Sequence, residues 1–276
     1  MSDLTDFFPI PSGGLVTPGG VAARILIVAG GGTGDNAPGG GAGGLMETGV
    51  TLIKDSSYSV VIGEAKTSGG QKGNDSQING PGLGGSLRVI GGGFGKYNAA
   101  GGDGGSGGGT SSGSLSGGNA ELGQFNTFAG FSSVSANPQG LGNGSGGGGA
   151  GGPGKAVGTG GNGLSTSIIS TTNATSAAVG EVISNEVWFA GGGGKNSSLN
   201  GRGQGTNSGG GGERYDGTGD AGVCIILLQT ADFTGTTFKT YDDIAITPGP
   251  SAEVQTFAEG DNTVVVFRSS ATMKLI

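Results

Sequence analysis

An all-β, largely extended fold with almost no helix is what this sequence predicts, and three observations carry the prediction. Glycine fills 70 of 276 positions, against roughly 7% in an average globular chain. The glycine runs alternate with short apolar stretches of strand character at 24–29, 58–62, 87–90, 187–190, 223–228 and 264–267. Tight-turn pairs such as Asn79-Gly80, Asn143-Gly144, Asn162-Gly163, Asn200-Gly201, Asp103-Gly104 and Asp216-Gly217 punctuate them.

Composition alone would suit a flexible linker, but linkers do not carry interspersed apolar strands, so an ordered chain is expected. Long helices are not, because each interior glycine costs about 1 kcal/mol. The blocks at 39–44, 91–93, 101–109, 146–152, 191–194 and 209–212 have almost no side chain to bury and can bury only backbone. Strands with the three-fold, left-handed polyproline II twist, here polyglycine II, pack side by side and bond across several neighbours. Because each glycine brings ~0.5–1 kcal/mol of extra chain entropy, most of its amides must find partners. A collagen register is excluded, since 152–158 reads Gly-Pro-Gly-Lys-Ala-Val-Gly.

Three regions follow. Residues 1–14 form an arm with Asp3, Asp6 and the apolar Phe7, Phe8 and Ile10 between prolines, read either as a docking peg for another protein or as a frayed end. Residues 15–229 form the glycine-rich polyglycine II body. In residues 230–276 glycine thins and alternating strands appear, which predicts an antiparallel β module or a set of strands capping the body.

Charge and chemistry narrow the function. With 20 acidic against 13 basic residues the net charge is −7, which points away from nucleic acid and anionic membranes and toward protein or glycan surfaces. Histidine is absent and Cys224 is the single cysteine, so the commonest acid-base group and a thiolate metal cage are both missing. No enzymatic activity, cofactor or metal is expected. The first residues lack a basic stretch and an apolar core, so no export signal is read, and no apolar run approaches the ~20 residues of a membrane span.

Motifs that imitate chemistry are weak. Gly39-x-Gly41-x-x-Gly44 matches a dinucleotide fingerprint, but glycine is frequent enough to produce that spacing by chance and no amphipathic helix follows. Gly95-Lys96, Gly154-Lys155 and Gly194-Lys195 lack the Ser or Thr of a phosphate loop. Asp242 and Asp243 are adjacent, so on a strand they face opposite ways and cannot share a substrate.

The aromatics are more informative. Phe125, Phe128 and Phe131 recur every third residue, which on a three-fold strand sets them on one edge. They either staple a loop to the body or form a receptor-contact ridge, joined by Phe94, Tyr97 and Tyr215 beside glycine-rich turns. Trp188 reads as core or flank packing.

The stretch 15–32, LVTPGGVAARILIVAGGG, the block 39–45, the strand 57–63 and the closing 219–226, GDAGVCII, together resemble glycine-rich domains of bacteriophage tail-fibre and receptor-binding adhesin proteins, over roughly residues 15–229. The resemblance implies a virion protein, assembled in the cytoplasm of a bacterial host. It would bind a host cell-surface protein or glycan through loops, contact other tail proteins and be open to homo-oligomerisation. The run 267–276 resembles the strand pair that usually precedes such a domain, yet here it ends the chain. That displacement leads us to expect 271–276 to pair with the opening segment 21–29. It also keeps open an alternative role as a structural subunit of fibre, baseplate or capsid decoration that joins neighbours through its terminal strands.

Overall fold

A computed structural model describes residues 20–111, 115–121, 144–155, 158–214, 217–229, 244–248 and 253–276. The fold is all-β with one short helix. Five antiparallel strands make the first sheet: β1 (Gly20–Val28), β2 (Leu45–Ile53), β9 (Val223–Leu228), β11 (Val254–Glu259) and β12 (Asn262–Phe267), in the order β11-β12-β9-β1-β2. The second sheet contains β3 (Ser57–Val61), β4 (Ser76–Asn79), β5 (Leu87–Val89), β10 (Ile244–Pro248) and β13 (Ala271–Leu275), in the order β10-β13-β3-β4-β5. A third, small sheet sets β8 (Glu186–Phe189) between β6 (Leu164–Thr166) and β7 (Glu181–Ile183).

The first sheet is the middle layer, and its sequence shows why. Along β1, β9 and β12 apolar residues occupy both faces, as in strands covered on two sides. One face presents Ile25, Ile27, Cys224, Ile226 and Phe267 to Tyr58, Ile78, Met273 and Leu275 of the second sheet. The other presents Leu26, Val28, Ile225 and Val266 to Val187 and Phe189 of β8 and to Ala174 and Ala177 of α1 (Thr171–Ala177). Helix α1 lies in residues 164–179, a stretch without glycine, and Ser170 caps it by accepting the amide of Asn173. Glu47, buried in β2, pairs with Arg24 and accepts the Thr166 hydroxyl at 2.7 Å, tying the first sheet to the third.

The C-terminal strands are woven into both large sheets. Strand β12 pairs with β9, and β13 pairs with β3 and β10. The expected pairing of 271–276 with 21–29 is therefore not what forms. Both edges of β1 are taken, by β2 and β9, and Ala271, Met273 and Leu275 point inward from the opposite sheet.

Past the sheets the chain continues as glycine-rich segments whose amides rotate among neighbours. Ala29, Gly32 and Asp35 donate to the carbonyls of Gly44, Gly41 and Pro38; Gly30 and Thr33 to Asn74 and Gln71; Gly31 and Gly34 to Asp220 and Gly217, all between 2.9 and 3.1 Å. Every third residue thus meets the same neighbour. Segment 38–44 is the centre of this arrangement. It donates to residues of 90–93, 145–148 and 209–212, and accepts from 29–35, 106–109 and Gly193, so six segments surround it.

Close approach explains why these positions are glycine. A Cβ on Gly40 would lie 2.2 Å from the carbonyl oxygen of Gly32, and one on Gly147 would lie 2.0 Å from that of Gly40. Ala42 is the exception that fits, fully buried against the apolar cluster below.

Candidate functional site

The hydrogen-bond ladder fixes where the loops lie. Segment 29–35 runs on from β1, and its six steps at ~3.2 Å carry it roughly 19 Å beyond the sheet. Neighbouring segments turn at that far level, around 35–38, 96–101, 110–111, 195–200 and 213–214. Gly20 and Leu275 lie at the opposite end, near the turn joining β2 to β3: Gly20 pairs with Ile53, and Leu275 donates to the carbonyl of Ser56.

The far loops are stitched together by polar side chains. Asp35 is the main anchor: its carboxylate accepts the amides of Asn36 at 2.8 Å and Tyr97 at 3.1 Å, and Lys96 stands 3.5 Å away. Burial pushes the Asp35 pKa up, but those two amides and the Lys96 ammonium outweigh it and hold the carboxyl below its ordinary value. Asn98, in the left-handed region at φ 52°, donates its amide to Ser111 Oγ. Thr110 binds the carbonyl of Ala99 through its hydroxyl and Ser145 Oγ through its amide. Asn200 accepts the amide of Gly194 and reaches Glu213 with its side-chain nitrogen. Arg214 Nε donates to the carbonyl of Asn36 at 2.8 Å.

Of the aromatic residues singled out from sequence, Tyr97 stands at this tip with 47% of its surface exposed. Phe94 lies beneath it, half-buried, its ring so close to Gly102 that a Cβ there would sit 2.5 Å from the Phe94 ring carbons. Phe125, Phe128, Phe131 and Tyr215 lie outside the described residues, as do Phe7, Phe8 and Ile10 of the arm. Asp35, Asn98, Thr110, Ser145 and Asn200 were missed by sequence reasoning. The one signal that could have found four of them is a glycine directly beside a polar residue, before Asp35, Thr110 and Ser145 and after Asn200; Asn98 has none.

A second feature, on the flank where β3 and β5 meet the glycine segments, is an open groove of about 930 Å³ lined by Glu64, Lys66, Lys72, Asp75, Arg88 and Glu121 among others. Its charges are largely paired: Lys72 with Glu121, and Arg88 with Asp75, which also accepts the Gly91 amide. Among the described residues no three His, Cys, Asp or Glu side chains gather as metal ligands, and no helix is long and apolar enough to cross a membrane. Cys224 is fully buried, and its pKa is pushed far up by that burial, so its thiolate is suppressed.

The tip can therefore offer a pre-shaped surface of backbone and polar groups with the exposed phenol of Tyr97. No protein-family model, curated protein or solved structure matches the chain.

Proposed function

We propose that this chain is a bacteriophage virion protein, a receptor-binding adhesin of tail-fibre type that attaches to a host cell-surface protein or glycan without catalysis. The observation that carries the reading is the gathering of the described loops at one end of the glycine segments, with Tyr97 exposed there and Gly20 at the other end. A rigid scaffold presenting loops is how binding surfaces are commonly built. Tyrosine supplies contact area at small rotamer cost.

The glycine segments are, in this proposal, polyglycine II strands. Their three-residue rotation of donors supports the assignment, because a three-fold helix turns each successive amide by about 120° toward the next neighbour. Backbone committed in this way has nothing left for recognition, which leaves specificity to the side chains at the tip. The opposite end, where the arm carrying Phe7, Phe8 and Ile10 joins, would face other virion proteins.

Purified protein should bind host cells and slow phage adsorption as a competitor. Tyr97→Ser should weaken binding by about thirty-fold, the size of a ~2 kcal/mol hot spot, with an unchanged melting temperature. Failure of the wild-type protein both to bind cells and to compete would sink the reading. Antibody labelling along a shaft or on the head would then favour the structural-subunit alternative.

A further inference from the structure

On the outer face of the small sheet two hydrogen-bond donors stand together without an acceptor among the described residues. Trp188 lies opposite Ser165 of β6 and Glu181 of β7, pointing away from the core that takes Val187 and Phe189. It is only 3% exposed, and the Arg202 guanidinium lies over its ring, 5.0 Å from the centroid. Its indole Nε1 is buried and has no hydrogen-bond partner among the described residues.

Arg202 is fixed by its backbone, which donates to Asn162 Oδ1 at 3.2 Å and accepts from Gly163 at 2.7 Å. Its guanidinium pairs with no carboxylate among the described residues. Glu181, opposite Trp188, makes no ion pair with the guanidinium; Oε2 of that residue accepts the amides of Gly203 at 2.6 Å and Gln204 at 3.1 Å.

We propose that Trp188 and Arg202 form a carboxylate subsite for an acidic polysaccharide, the guanidinium shifting across the indole so that it and the indole N–H donate to one uronate group. A buried unpaired donor costs ~1–3 kcal/mol, which a ligand acceptor recovers. The planar guanidinium fork matches a carboxylate, and stacking on the indole holds it in place.

Charge selects the carrier. The chain is acidic overall, at −7, and Glu181 and Glu186 share this face, so a peptide with contiguous carboxylates meets repulsion beyond the first. A glycan with one uronate per repeat brings a single charge among hydroxyls, and exposed Asn162 and half-buried Ser165 flank the pair to bond them. The subsite lies at the small sheet, away from Tyr97, and does not depend on the tip's role.

Trp188 is the single tryptophan, so its indole N–H gives one resolved resonance in ¹⁵N-labelled full-length protein. An oligosaccharide alternating glucuronate with a neutral amino sugar should shift that resonance saturably. Its carboxyl-reduced counterpart should not. Arg202→Met should weaken the response about tenfold or more, with Arg202→Lys intermediate because it keeps the charge and loses the fork. The proposal fails if the acidic oligosaccharide leaves the resonance unmoved at millimolar concentration, if the reduced sugar moves it equally, or if both folded Arg202 variants respond as wild type. Tighter binding of hexaglutamate than of the oligosaccharide would reassign the site to acidic peptides and overturn the glycan.

Discussion

The hydroxyl of Ser76 donates to the carbonyl oxygen of Val28 at 2.8 Å, joining the two large sheets at the level where both hand over to glycine segments. Ser76 Oγ in turn accepts the amide of Gly63 at 2.8 Å, and the side chain is fully buried. Ser76→Ala therefore strands a buried backbone donor and weakens the tie to Val28. A loss of roughly 2 kcal/mol is expected, read as a lower denaturation midpoint at unchanged slope.

Gly40→Ala tests the central segment. Its new Cβ would meet the Gly32 oxygen at 2.2 Å and the carbonyl carbon at 2.7 Å, both backbone, so neighbouring segments must separate. We expect a loss of ~3 kcal/mol or more, in the upper range of overpacking. Gly152→Ala is the control: the nearest atom to its added Cβ is Asn162 N at 3.9 Å, and stability should change by under about 0.5 kcal/mol. Equal effects at the two positions would show that close packing does not govern the bundle.

Asp220 links stability to pH. Burial raises its pKa to about 7 from 3.8, with repulsion from Glu181 adding to the rise and the Ser208 hydroxyl opposing it. Between those values the folded chain holds a proton that the unfolded chain has released, so stability falls as pH rises from about 4 to about 7. The slope is up to ~1.4 kcal/mol per pH unit. Asp220→Asn should abolish that part of the fall, measured by urea unfolding at several pH values.

Asp35 works in the opposite sense. Its depressed pKa means its contribution is complete above 3.8 and is lost as pH falls through the lower, folded value. Asp35→Ala should release the Tyr97 amide, seen as hydrogen exchange at least tenfold faster there, while amides of β1 stay protected. Unchanged exchange at Tyr97 would remove Asp35 as the anchor of that loop.

Much of the strand content was legible because β1, β9 and β12 are apolar runs that closely follow a glycine. Strand β2 was not: Glu47, Thr48 and Gly49 break its pattern, and Glu47 is tolerated only because Arg24 and Thr166 meet it from other elements. Partners were illegible for a related reason. Nothing local in Ala271–Leu275 says that β1 has no free edge, since its neighbours come from residues 45–53 and 223–228. At the tip Tyr97 was found by residue type alone, whereas Asp35 acquires its role only when folding brings the Tyr97 amide to it.

The run from Gly20 through β1 to Asp35 crosses the molecule without a turn, from the end where the chain enters to the loops at the tip. In the adhesin proposed above, tension between the tip and the base would travel along this one strand. Its lateral bonds lie across the pull, so they would be loaded in shear and share the force, and no end bond could be peeled away first. Built this way, a glycine-rich chain that would be slack by composition becomes stiff along its length.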